Sequence, residues 1–121
     1  MKKISILTIA AMLGFGAASA EMMESETMTV YVNNVPYSVT EIEDIKTLND
    51  NSMVVGRGYI TKHMGDETYV FQDSTGTIMV EIDDEVWNGQ YITPTDMVLI
   101  SGEVDRDGND ITIEIDGIQK M

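Results

Sequence analysis

The chain predicts a mainly β protein: a small closed barrel of five strands, with one short α-helix before it. Three observations carry this reading. Ile78, Val80 and Ile82 alternate strictly with Met79, Glu81 and Asp83, the period of a half-buried strand. Gly56 and Gly58 stand two apart in an otherwise β-rich run, where a strand must bend sharply or admit another backbone. Ile111, Ile113 and Ile115 alternate with Thr112, Glu114 and Asp116 immediately after the tight turn Asp107-Gly108-Asn109.

The hairpin at the centre runs from Thr68 to Ile82. Asp73-Ser74-Thr75-Gly76 is favoured turn chemistry, Asp bonding the local backbone and Gly tolerating positive φ. Before it, Met53–Thr61 is a first strand and Lys62–Glu67 a polar loop. After it, Asp84–Gly89 reads as a turn or short helical segment, and Thr93–Asp96 as a turn. Met97–Asp105 and the Ile111 run complete the five strands. Five strands with a short segment between the third and fourth is the layout of an OB-fold barrel. Upstream, Thr40 and Glu43 fit a capping box for a helix of about ten residues, with Ile42, Ile45 and Leu48 as its apolar stripe. Asn33-Asn34 then Val35-Pro36-Tyr37 suggests a turn and an edge strand, where proline is tolerated.

The first twenty residues stand apart. Lys2-Lys3, the apolar Ile4–Phe15 and Ala18-Ser19-Ala20 form the three regions of a cleavable signal peptide, so residues 1–20 are expected to be removed and the chain exported to the periplasm. Residues 21–38 form a lead-in, its first six acidic and mobile, and residues 39–121 the barrel domain. The 121 residues include no cysteine, so no disulfide stabilises the exported domain, and packing must do so. Loss of Lys2 and Lys3 leaves five cations against 21 acids, a net charge of −16. Nucleic acid and anionic membrane surfaces are disfavoured as partners, because phosphate binding depends on Lys and Arg. Cationic peptides, amines and metal ions suit this surface.

Val55-Gly56-Arg57-Gly58-Tyr59-Ile60, Tyr69-Val70-Phe71-Gln72-Asp73, Thr75-Gly76-Thr77-Ile78, Trp87-Asn88-Gly89 and Gly102-Glu103-Val104-Asp105 follow one another in an order that resembles the bacterial OB-fold (BOF) family, of the YgiW/YdeI type. The resemblance covers roughly residues 39–120, and residues 21–38 depart from it. It implies a periplasmic, non-enzymatic barrel associated with envelope stress tolerance, without the basic residues that other OB-folds use on nucleic acid, and without catalytic residues or a cofactor to carry over.

The residues themselves agree on catalysis. One histidine and no cysteine leave no nucleophile–base pair to build on, and 21 acids make no single carboxylate pair informative. Asp105–Asp110 invites a calcium reading, but Gly108 stands two positions early for a calcium loop, and Asp-Gly between alternating runs favours a hairpin turn. His63, Met64 and Met79 are weak candidates for soft-metal ligation such as Cu(I), with Met22, Met23 and Met28 a looser cluster. The favoured ligand face is that of strands two and three. Tyr59, Tyr69 and Phe71 would offer aromatic surface there, and Asp73, Glu81, Asp83 and Asp107 charge. Phe71 fits the core better than the ligand face, and Trp87 fits packing at a barrel end better than ligand contact. The expected function is non-covalent recognition of a cationic or amphipathic envelope ligand. The competing reading is an interaction protein that docks another envelope protein.

Overall fold

Alternation along the central hairpin is realised as expected. In β5 (Thr68–Asp73) Phe71 is fully buried, and in β6 (Gly76–Glu81) Ile78 and Val80 point inward, as does Ile82 just beyond. The computed structural model describes residues 7–12 and 27–121. The expected cleavage site at Ala18–Ala20, the lead-in 21–26, and Met22 and Met23 lie outside the described residues.

In chain order the remaining elements are β1 (Leu7–Met12), β2 (Thr27–Val32), β3 (Val35–Ser38), α1 (Ile42–Ile45), β4 (Met53–Gly65), α2 (Asp84–Trp87), β7 (Val98–Asp107) and β8 (Asp110–Lys120). Strands β4-β5-β6-β8-β7 form a closed barrel, β7 returning to pair with β4. Neighbours are antiparallel except β6 and β8, which pair in parallel over Met79–Glu81. This is the five-stranded OB layout, with α2 between the third and fourth barrel strands.

The barrel core holds Val54, Ile60, Phe71, Ile78, Val80, Ile82, Val98, Ile100, Val104, Ile113, Ile115 and Ile118, with Ile42 and Ile45 of α1 plugging it. The two strand glycines are needed for a specific reason. A Cβ on Gly58 would stand 2.2 Å from the Gln72 carbonyl oxygen and 3.0 Å from the Phe71 ring, and one on Gly56 would meet that ring at 3.3 Å. Phe71 fills the barrel because β4 presents no side chain where the ring lies.

Two expectations are corrected here. The first strand does not stop at Thr61 but runs to Gly65, so His63 and Met64 sit in β4 rather than in a loop. The turn is Asp66-Glu67, entered from Gly65, with Gly65 and Asp66 both at positive φ. The helix is one turn rather than about ten residues, and the Thr40/Glu43 box does not form. Glu41 is the N-cap residue with no side-chain cap bond of its own. Asp73 caps the helix instead: its Oδ2 accepts from Ile42 N at 2.9 Å, while Thr75 Oγ1 accepts from Glu43 N. At the other end Arg106 closes the turn, donating to the carbonyls of Leu48 and Lys46.

Residues 27–38 form a β-hairpin against the outside of the barrel. Asn33 and Asn34 both have positive φ, the requirement of a type I′ turn. Val30 and Val32 pack on Val55 and Leu99, the outward-facing neighbours of core residues in β4 and β7, making a second, smaller core. Leu7–Met12, within the stretch read as leader, pairs antiparallel with the far edge of β2.

The long strand β8 outruns its parallel partner β6. Past Glu114 its edge meets Gln90, whose Nε2 donates to the Ile118 carbonyl at 2.8 Å and whose Oε1 accepts from Lys120 N at 3.1 Å. One side-chain amide thereby substitutes for a stretch of strand.

Candidate functional site

The outward faces of β6, β8 and β7 bring carboxylates together. Glu81 lies opposite Glu114 in the parallel pair, and Glu114 opposite Glu103 in the antiparallel one. Three glutamates therefore stand in one row across three adjacent strands. The same alternation that sends Val80, Ile113 and Val104 into the core sends these carboxylates out. Like charges directly opposite one another destabilise a sheet, so the row is a cost to folding.

Beside the row opens a cleft of about 410 Å³, lined by Glu81, Asp83, Val86, Glu103, Glu114, Ile115 and Asp116. Five of the seven lining residues are acidic and none is basic. Val86 of α2 and Ile115 of β8 supply its apolar wall. Partial burial pushes the Glu114 carboxyl above its usual value, and the charges of Asp105, Glu81, Glu103 and Asp50 push it further. Asp116 is held by the fully buried Ser101 hydroxyl, which donates to it at 3.0 Å.

A ring stack reaches α2, whose Val86 lines the cleft. His63 lies against Tyr69 with centroids 4.4 Å apart and planes 14° from parallel, and Tyr69 meets the edge of Trp87 at 5.3 Å. His63 and Tyr69 are direct partners across β4 and β5. Trp87 follows Val86 in α2, so this one helical turn separates cleft from stack.

The residues expected to form a ligand face are thus divided. Glu81 and Asp83 meet in the cleft. Tyr69 is half-buried at the barrel end, and Phe71, fully buried, is core rather than ligand surface. Tyr59 falls on the opposite face of β4 from Gly58 and Ile60, away from the other two rings. Asp73 is structural: besides capping α1, its Oδ1 accepts from Thr75 N, Thr75 Oγ1 and Gly76 N. Burial raises its pKa, but these bonds together with that from Ile42 outweigh it and hold the carboxyl below its usual value. Asp107 ends β7 opposite Asp110 at the hairpin turn, outside the cleft. Among the weak metal candidates, His63 Nε2 stands 2.7 Å from the Asp66 carbonyl, an oxygen that only accepts, so this nitrogen is a donor and not a ligand. Met64 falls in a register shift beside it, while Met79 is across from Val70. Among the described residues no three His, Asp or Glu side chains are grouped to hold a metal ion.

Sequence reasoning missed Glu103, Glu114 and Asp116. The signal was present in the alternation, which marks all three as outward, but strand neighbours were needed to bring them together.

Residues 18–120 match the family of bacterial OB fold (BOF) proteins, a span that includes the hairpin as well as the barrel. Protein YgiW of Escherichia coli K12 is 46% identical over 84 residues, which cover 69% of this chain and 65% of YgiW, so the chain spans just under two thirds of that relative's length. The solved structure of the hypothetical protein ygiW from E. coli superimposes with a TM-score of 0.69, covering 70% of this chain and 91% of that one. The calcium-regulated OB-fold protein CarO of Pseudomonas aeruginosa is 42% identical over 67 residues, 54% of this chain and 58% of CarO. With its barrel, strand order and central hairpin matched in this way, the chain belongs to the bacterial OB-fold family.

Proposed function

We propose that the chain is an exported, non-enzymatic binding protein of the bacterial envelope, acting in stress tolerance by capturing a cationic or amphipathic ligand in the acidic cleft. The Glu81–Glu114–Glu103 row carries this reading. A row of like charges that destabilises its own sheet, and adds to the effect of burial in raising the pKa of Glu114, is relieved when a cation binds. Val86 and Ile115 give an amphipathic ligand an apolar wall beside the charge. Export is supported by the leader pattern of residues 1–20, and the stress role by the family resemblance.

Titration of the protein with a cationic amphipathic peptide, followed by amide NMR, tests the reading. Saturable shifts centred on Glu81, Glu103, Glu114 and Ile115, weakening with salt and reduced in Glu114→Gln, are the expected result. A folded protein whose spectrum does not respond rejects it.

Tyr91 favours a second reading, docking to another envelope protein. It is 81% exposed, and the loop that carries it lies against the C-terminal strand through Lys120 Nζ, with Met97 and Met121 also exposed beside that strand's end. Exposed aromatics of this kind anchor protein interfaces. Loss of partner capture in Tyr91→Ala, with peptide titration unchanged, would select it.

A further inference from the structure

We infer that the outer face of His63 is a stacking platform for a guanidinium group, and that it gives the acidic surface a preference for arginine over lysine. The inference rests on the cationic-ligand reading above and adds to it a side-chain specificity.

Two contacts fix the imidazole. Tyr69 covers one face in a near-parallel stack, and Nε2–H donates to the Asp66 carbonyl, which locks the ring's rotation. The residue is nevertheless exposed, so its open surface is the face turned away from Tyr69. Tyr69 is in turn held by the edge of Trp87 and by the barrel core. A planar ring at the surface, with orientation set from beneath, offers a ligand a flat contact at little entropic cost. Acids outnumber bases around it: Asp66 and Glu67 form the adjoining turn, and Asp84 and Glu85 precede Trp87 on the same short helix as the cleft residue Val86, against the one cation Lys62 beside His63 in β4.

Anionic surroundings select a cation, and a flat ring selects a flat one. Guanidinium is planar and stacks on rings, whereas ammonium is a compact, strongly hydrated point charge. The carboxylate cleft alone attracts both. The platform discriminates.

Hexa-arginine amide and hexa-lysine amide, titrated separately into the full chain, test this directly. Fluorescence of Trp87 and the His63 ring-proton shifts report occupancy. Arginine peptide is expected to bind about two- to fivefold tighter than its lysine counterpart, the size of an exposed ring–cation contact. His63→Ala should abolish that preference, while His63→Phe, which keeps a ring but not the bond to Asp66, should retain part of it. Glu114→Gln should weaken both peptides without changing their ratio. An unchanged ratio in His63→Ala, or equal affinities in the unmodified protein with both still sensitive to Glu114→Gln, overturns the platform and leaves the cationic-ligand reading standing. Failure of both peptides to bind overturns the two together.

Discussion

Asp73 holds the first backbone N–H of α1, that of Ile42, across thirty-one positions of sequence at 2.9 Å. The same carboxylate closes the turn of the central hairpin through its other oxygen. One side chain therefore ties the plug helix to the barrel's middle strands. Asp73→Ala should cost about 1–2 kcal/mol, a typical loss for a helix cap, and lower Tm by several degrees in thermal denaturation. The pH dependence follows from the depressed pKa. The contribution is present above the ordinary aspartate range and is lost as pH falls through the lowered folded value. The difference between Asp73→Ala and the parent should accordingly shrink in strong acid.

Glu114 behaves oppositely. Its pKa is raised in the folded state, so the native protein holds that proton more tightly than the unfolded chain, and stability falls as pH rises through the carboxylate range. Glu114→Gln should stabilise the protein at neutral pH, by roughly 0.2–1 kcal/mol on the scale of cross-strand pairs. The gain should fade at low pH and at high salt. Urea denaturation at two pH values and two ionic strengths checks each sign.

Gly58 and Gly56 separate by what a methyl group would strike. At Gly58 it meets the rigid Gln72 carbonyl, and at Gly56 the side chains of Phe71 and Ile100. Gly58→Ala should cost about 3 kcal/mol or more, and Gly56→Ala about 1 kcal/mol, within the range for overpacked cores. Circular dichroism melts of the pair give the order, and equal costs would contradict this account.

Phe71 and Tyr59 form a similar contrast. Phe71→Ala should destabilise by about 3–5 kcal/mol through the cavity it leaves. Tyr59→Ala, lying outside the barrel, should cost far less and leave peptide binding at the cleft unchanged. Denaturation and the NMR titration measure both.

Legibility in the sequence followed the range of each interaction. The strands were readable because alternation is local: Ile78, Val80 and Ile82 declare their face within five residues. Gly56 and Gly58 were readable as a bend, though not that Phe71 needs the space. The α1 cap was misread since its donor and acceptor are far apart in sequence, and Thr40 supplied a plausible local substitute. The turn at Asn33-Asn34 and the edge strand after it were readable, but their docking with β2 on Val55 and Leu99 required knowing that the outer face of β4 and β7 is apolar. The ligand face suffered most. Glu81 and Asp83 were found, whereas Glu103 and Glu114 join them only through pairing across β6, β8 and β7.

Gln90 gives the barrel a seam. Elsewhere around the ring adjacent strands are joined by backbone ladders, but beside Ile118 and Lys120 the loop after α2 is tied to the edge of β8 turned away from β7 by side chains, the Gln90 amide and the Lys120 ammonium. A rotamer change of Gln90 loosens the loop from that edge, while the end of β8 stays paired with β7 through the pairs Val98–Lys120 and Leu99–Gln119. Next to α2, whose Val86 lines the acidic cleft, the circumference is therefore closed by side chains rather than by a strand pair.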